Sequence, residues 1–442
     1  NQDENNAPSL TVKKREIFGW AMYDFANSSY TTVVISLMYS TFFVSYIVPA
    51  DSPQKDTYWS IAIIASTLIA IVLSPLVGAI CDLSGSKKRY LFYSTFVCAL
   101  STTLLFFVQP GQIWLGIVLI TISNAAFMLG EAFCASFLPD IATKKNMGMI
   151  SGLGWGFGYL GGLLAVAALS FFVSADPLVN LSDYVSQNQI AMILVGAFYF
   201  VAAMPTFLLL RERSVPQAGY ENAKIGELLS AGVGEMKEIF TTAREFPVLF
   251  RFFFAFMVYM AGLEVVIKFI GIYASSELGF AIGDLIWMFI VIQISAALGA
   301  IVFGVLENKL GAKKTVLLTI FWWIGGILAI FFLGAISSLL GISKNSTFLG
   351  ISVIAGSGIG SIQSSSRAVV GLLSPSDRSA QMFGFWGMFM RVSIILGMSF
   401  GFVSDAIGSR RYALLLVIAF FVVGGLMLSV VPIDESIEDN KD

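Results

Sequence analysis

The 442-residue chain is 57 % apolar, and only 12 % of it is Asp, Glu, Lys or Arg. Soluble domains carry about twice that share of charge, so a water-facing exterior is excluded and most of the chain is expected in hydrocarbon. A net charge of −2 without a basic domain argues against nucleic-acid binding, and the absence of His removes Ser-His-Asp hydrolysis, His-ligated zinc and His-held haem.

Apolar runs long enough to cross a bilayer fall near residues 17–48, 57–83, 90–108, 112–138, 147–173 and 189–210, then 247–275, 282–307, 315–340, 347–373, 380–406 and 411–431. These twelve are read as helices, because a lipid-exposed backbone must satisfy its own hydrogen bonds. The alternation of a β-barrel is absent from the sequence. Span one is too long for a cleavable signal peptide and carries Asp24 and Asn27; the start at Asn1 rather than Met fits a trimmed product. The expected division is a first six-helix half (1–210), a polar linker with a surface-lying amphipathic helix (211–246), a second half (247–431) and an acidic tail (432–442). Within the linker, Ile225, Leu228, Leu229, Met236, Ile239 and Phe240 recur at partial helical spacing. Eighteen Lys and Arg fall in segments on the N-terminal side and four, Lys55, Lys344, Arg410 and Arg411, in loops on the other. Both termini are therefore expected in the cytoplasm.

A repeat divides the chain. After span two the sequence reads Gly78-Ala-Ile-Cys-Asp82-Leu-Ser-Gly85-Ser-Lys87-Lys88, and after span eight Gly304-Val-Leu-Glu-Asn308-Lys-Leu-Gly311-Ala-Lys313-Lys314. A weaker copy, Gly401, Asp405, Gly408, Arg410 and Arg411, follows span eleven. In the two lysine-bearing loops the glycines permit tight turns or close approach, the acid suits the N-terminus of a neighbouring helix, and the cations face the cytoplasm. A repeat at half-length signals two related six-helix halves.

This loop is similar to the signature of the major facilitator superfamily. Tyr23-Asp24-Phe25-Ala26-Asn27-Ser28-Ser29-Tyr30 resembles the span-one motif of one branch, which contains fungal vacuolar amino-acid effluxers tied to autophagy and bacterial relatives. Phe137-Leu138-Pro139-Asp140, Ser151 through Gly162, Gln363, Ser366 and Arg367, and Gly384 through Gly397 resemble the same branch. The resemblance implies an all-α transporter of twelve transmembrane helices working by alternating access, with a small organic solute, amino acids first, as cargo. The chain departs from the branch in span seven, where Tyr259-Met260-Ala261-Gly262 lacks a usual acid and Glu264 replaces an amide. It departs again in span eleven, where Arg391 stands for a frequent Lys and Met398 for a Pro.

Polar residues inside spans are costly and tend to face a cavity or a partner. Asp24, Asn27, Ser28 and Thr31 lie on one helical face, expected to contact substrate or a proton, or else to clamp one helix to another. Glu131 shares a face with Asn124 and is expected to bind a proton or the substrate, or else to form a permanent ion pair. Glu264 and Lys268, one turn apart, either neutralise each other or open for a ligand. Arg391, near mid-membrane, calls for a carboxylate from Glu131, Glu264 or the substrate, whereas Arg367 and Arg251 are expected to snorkel. Gly154, Gly158 and Gly162 form a close-packing face; Gly156-x-Gly158-x-x-Gly161 is no dinucleotide site, since no strand precedes it.

Cys81, Cys98 and Cys134 fit neither a disulfide framework nor a metal cluster, no phosphate-cradling loop occurs, and no cofactor or metal is expected. The sequence thus reads as a non-enzymatic secondary transporter, monomeric, in the bacterial inner (cell) membrane, with lipid, a small molecule and protons as partners. Two other readings stay open: an exporter of amphipathic molecules or a metallophore, suggested by the Phe-rich spans, and a transport-dead sensor whose linker and acidic residues Asp434, Glu435, Glu438 and Asp439 bind partners.

Overall fold

The computed structural model describes residues 12–49, 51–52, 55–173, 179–221, 223–237, 243–280 and 282–433. The acidic tail residues and Ile239 and Phe240 of the linker lie outside them.

Twelve helices are long and apolar enough to cross a membrane. They are α1 (Lys14–Ile47), α2 (Tyr58–Ser84), α3 (Lys87–Phe107), α4 (Ile113–Ile141), α5 (Met147–Leu169) and α6 (Leu181–Leu209), followed by α7 (Pro247–Gly271), α8 (Trp287–Leu310), α9 (Ala312–Phe331), α10 (Lys344–Leu373), α11 (Ser379–Gly401) and α12 (Arg410–Ser429). The sequence finds all twelve, but α6 starts eight residues before the expected 189. The run expected over 315–340 is split, with a separate short helix at Leu333–Leu340. The linker holds a helix at Ile225–Lys237. Its Leu228 packs with Ile80 and Leu83 at the end of α2, while Leu229 and Val233 stay exposed.

Buried apolar side chains form two large clusters, one drawn mainly from α1–α6 and one from α7–α12. Even-numbered helices end, and odd-numbered ones begin, on the side that carries the linker. On this linker side the halves meet along two related seams, α2 against α11 and α5 against α8.

Small residues build the seams. A Cβ on Gly78 would strike the backbone of Ala380, and one on Gly384 the Ser74 carbonyl. In the other seam, Gly152 approaches the Ala300 carbonyl and Gly304 the Gly148 carbonyl. Lipid tails are as apolar as the helices, so association relies on van der Waals packing, which such close approach maximises. Helix α5 presents two glycine stripes: Gly154, Gly158 and Gly162 lie against Asp24, Ser28 and Thr32 of α1, while Gly148, Gly152 and Gly156 face α8 of the other half. Only the first stripe is anticipated from the sequence.

After Ser28, the helix α1 widens. Thr31 Oγ1 and Thr32 Oγ1 both donate to the Ser28 carbonyl, at 3.2 and 2.7 Å, and π-helical turns follow over Thr31–Leu37 and Phe43–Ile47. Such turns are rare and occur often at functional sites.

Gly161 tests the packing account. Its Cβ would collide with the Phe25 carbonyl of α1, whereas a Cβ on Gly325 of α9 meets nothing within 4 Å. Gly161→Ala is expected to lower stability in detergent by about 1–3 kcal/mol through overpacking. Gly325→Ala is expected to be neutral or stabilising by up to about 1 kcal/mol through helix propensity. Thermal unfolding of the two purified variants against the parent is the measurement.

Candidate functional site

Two ion pairs join the halves within the membrane-spanning helices. Arg367 Nη1 of α10 lies 2.7 Å from Asp24 Oδ2 of α1, and Arg391 Nη2 of α11 lies 2.5 Å from Glu131 Oε2 of α4. Arg367, expected to snorkel at the end of its span, is instead buried. Its Nε donates to Ser151 Oγ (3.1 Å) and its Nη2 to the Ser151 carbonyl (2.8 Å). Trp20 and Trp155 rings lie 4.7 and 5.4 Å from the guanidinium carbon, within cation–π range. Trp20 is itself held by an indole N–H donated to the Cys134 carbonyl at 2.7 Å. Gly154 makes room for this group, since a Cβ there would reach Asp24, Arg367 and Trp20 together.

The remaining predicted residues divide. Asn27 turns away from Asp24 toward α6, where the Tyr199 hydroxyl donates to its Oδ1 at 3.4 Å; Tyr199 also shares a hydrogen bond with Tyr23. Ser28 lies against Gly158. The four-residue stripe of α1 therefore reaches three different helices. Asn124 Nδ2 donates to Ser66 Oγ of α2 at 2.8 Å, so of the two predicted α4 residues Glu131 is the one that crosses between halves. Glu264 and Lys268 pair with each other at 3.3 Å. Beside the arginine group, the Tyr159 hydroxyl of α5 donates to Gln363 Oε1 of α10 at 2.5 Å, and Tyr259 shares a hydrogen bond with Ser366 at 2.7 Å.

The repeated loops form a second layer toward the linker side. The N-terminus of α11 has no cap of its own, and Asp82 supplies one from α2, its Oδ1 and Oδ2 accepting from the Ala380 and Gln381 amides at 3.1 and 2.7 Å. Lys87 is buried and donates to Asp140 Oδ2 (3.0 Å), Ser379 Oγ (2.6 Å) and the Ser136 carbonyl (3.3 Å). Lys88 donates to the Leu210 carbonyl at the end of α6 at 2.6 Å. Gly85 adopts a positive φ of 59° and lies directly under linker residues Val215 and Pro216.

The second copy is shifted by one residue. Asn308, the sequence counterpart of Asp82, is exposed, whereas Glu307 is buried and lies against Gly148 in the first turn of α5. Lys313, not Lys314, plays the part of Lys88 and donates to the Ser429 and Val431 carbonyls at 2.8 and 2.7 Å; Lys314 is exposed. Motif alignment on the glycines hides this slip, because Gly304 and Gly311 keep their places while the helix turns the neighbouring acid inward. Among the described residues no group of acids and cysteines is arranged to hold a metal ion.

Known proteins share both the sequence and this architecture. The model of the family described as "Vacuole effluxer Atg22 like" matches residues 54–441. The chain is 24 % identical over 425 residues to the MFS-type transporter YxiO of Bacillus subtilis, covering 94 % of this chain and 95 % of that one. It is 24 % identical over 383 residues to autophagy-related protein 22 of Kluyveromyces lactis, covering 83 % of this chain and 76 % of that one. Among solved structures, it superposes on the proton:xylose symporter XylE with a TM-score of 0.71 at 13 % identity, covering 95 % of each chain. It superposes on the transporter FucP in its outward conformation with a TM-score of 0.68 at 16 % identity, covering 93 % of this chain and 97 % of that one. The twelve-helix fold with its two related halves is thus the major facilitator fold, and the chain belongs to the Atg22-like vacuole-effluxer family, a transporter branch of that superfamily.

Proposed function

We propose that the protein moves a small organic solute, amino acids in the first instance, by alternating access between its two halves, with protons as the coupling ion. The observation that carries this reading is the pair of ion pairs Asp24–Arg367 and Glu131–Arg391, each spanning from one half to the other inside the membrane. A purely structural ion pair has no need to straddle the surface along which a carrier opens. A solute with both an ammonium and a carboxylate can substitute for either partner, and an acid released from its arginine can take up a proton.

The division into halves 1–210 and 247–431, joined by a cytoplasmic linker, follows from the same reading, as does a monomer in the cell membrane. The excess of Lys and Arg on the linker side, eighteen against four, supports a cytoplasmic linker and termini. Asp82 on the α11 N-terminus, Lys87 on Ser379 and Asp140, and Glu307 on the α5 N-terminus then form the inner latch, with Lys88 and Lys313 tying it to the ends of α6 and α12.

Purified protein in liposomes is expected to exchange labelled neutral amino acids. With one proton per solute, a one-unit pH gradient drives about a tenfold accumulation or depletion. Equal steady levels with and without the gradient would exclude coupling, and no flux across a panel of amino acids would exclude the substrate class.

The latch makes its own prediction. Asp82→Ala removes the cap that α2 lends to α11, worth about 0.5–2 kcal/mol by analogy with helix caps. Deuterium uptake over residues 379–387 is expected to accelerate by about 2–30-fold, with residues 113–125 of α4 unchanged. Unaltered uptake at 379–387 would show that the cap does not hold the linker side shut.

A further inference from the structure

We infer that the two ion pairs have different tasks: Glu131–Arg391 is the docking point for a zwitterion carrying adjacent ammonium and carboxylate groups, and Asp24–Arg367 is a fixed lock that the solute does not touch. The inference rests on the transport reading above and assigns the solute's charged ends to named residues.

The contrast lies in how each guanidinium is spent. Arg367 keeps 3 % of its side-chain surface. Its Nε, Nη1 and Nη2 are all engaged, by Ser151 Oγ, Asp24 and the Ser151 carbonyl, and indole rings lie close to the guanidinium carbon. Each nitrogen thus already has an acceptor and almost none of the side chain is accessible, so an incoming carboxylate would compete with Ser151 and Asp24 for it. The bound Ser151 is in turn held by its hydroxyl, which donates to the Ser364 carbonyl at 2.7 Å.

Arg391 is the reverse. Among the described residues its one hydrogen-bond acceptor is Glu131 Oε2, so one of the five N–H donors of a guanidinium is spent. No ring stacks on it within the structure's cation–π contacts. Its remaining nitrogens are not among the sealed, unpartnered polar atoms, and the side chain keeps 9 % of its surface. Glu131 keeps 16 %, and its Oε1 is likewise outside the sealed set. Each partner therefore holds an unspent, accessible face at the same intramembrane position. A guanidinium with free parallel donors suits a carboxylate, and a carboxylate with a free oxygen suits an ammonium.

The two charged ends of an α-amino acid are one carbon apart, a span that suits a directly paired Glu and Arg with free groups on both partners. The third charged pair, Glu264–Lys268, sits on one helix and offers no bridge between halves. Insertion of the zwitterion replaces one ion pair by two, ammonium on Glu131 and carboxylate on Arg391. The buried charges stay compensated while the halves part at this point.

Binding and flux measured on the same preparations separate the two tasks. Leucine, leucine methyl ester and N-acetyl-leucine are titrated into the purified full-length protein by tryptophan fluorescence, and labelled leucine is followed into liposomes. Leucine is expected to bind the parent at least about tenfold more tightly than the ester or the acetylated form, the range of one charge-assisted hydrogen bond. Arg391→Lys is expected to weaken leucine by about tenfold and Arg391→Gln by about a hundredfold, since Lys cannot reproduce a bidentate fork. Glu131→Gln is expected to weaken leucine yet bind N-acetyl-leucine as well as or better than the parent does, because Arg391 is released; mere structural damage would not produce that gain. Arg367→Lys is expected to keep leucine affinity within about threefold while flux falls. Unchanged leucine affinity in Arg391→Gln, or its loss in Arg367→Lys with Arg391→Lys unaffected, overturns the assignment and leaves transport intact. A parent that neither binds nor moves leucine or other neutral amino acids overturns the transport reading as well.

Discussion

Charge in the membrane core is sorted by half. Asp24 and Glu131 come from the first six helices, and Arg367 and Arg391 from the last six. Either half alone would carry two like charges in hydrocarbon, at a cost of about 2.5–3.5 kcal/mol each even on the mildest scale. The halves thus need each other electrostatically, and the need is met where they touch. Glu264 and Lys268 show the contrast: on one helix, they neutralise each other without drawing anything across.

This electrostatic attraction acts at short range only because the backbones come close. The seams of α2 with α11 and α5 with α8 are lined by glycine, alanine and serine, and the carbonyl of one helix fills the space a side chain would occupy on its neighbour. Close approach puts the carboxylate of Asp82 within reach of the α11 amides and Glu307 against the first turn of α5. Each half therefore sets an acid beside a helix terminus of the other, and Asp82 bonds the amides there. The two exchanges are related by the internal repeat, and they lie on the linker side of the ion pairs.

Much of this architecture is legible in the sequence because bilayer physics speaks through length and periodicity. Twelve apolar runs and a half-length repeat are one-dimensional signals, and so is the stripe Gly154, Gly158 and Gly162. The second stripe of α5, Gly148, Gly152 and Gly156, is written at the same spacing and could have been read the same way. The pairing of charges could not. Asp24 and Arg367 stand 343 residues apart, and Glu131 and Arg391 stand 260 apart; no local pattern selects one arginine for one acid. Arg367 looked like a snorkelling residue because it lies near the end of its span, where long cations ordinarily reach water. What holds it inside is a neighbourhood of Trp20, Trp155 and Ser151 from α1 and α5. The exchange of Asn308 for Glu307 was hidden for a different reason: one position on a helix is about 100° of rotation, so a motif aligned on its glycines can still place its acid on a different face.

A carrier whose intramembrane arginines are paired with acids of the opposite half is closed by those charges, and opening it empty exposes them. That is a useful constraint for a transporter, because a solute shifts an equilibrium only through its differential interaction with the two states. A ligand that merely filled space would bind both states alike and move neither. A zwitterion at the Glu131–Arg391 pair differs, since its two ends remain compensating partners as the helices separate, while the empty protein has none. The saturated surroundings of Arg367 then serve the opposite end, keeping one linkage indifferent to the solute so that the linker side does not open on binding alone. The proposed coupling to protons fits the same scheme, because neutralising an acid at the seam removes the charge that its arginine holds. On the proposed reading, the asymmetry between the two arginines is what lets a fold of two similar halves respond to cargo in a directed way.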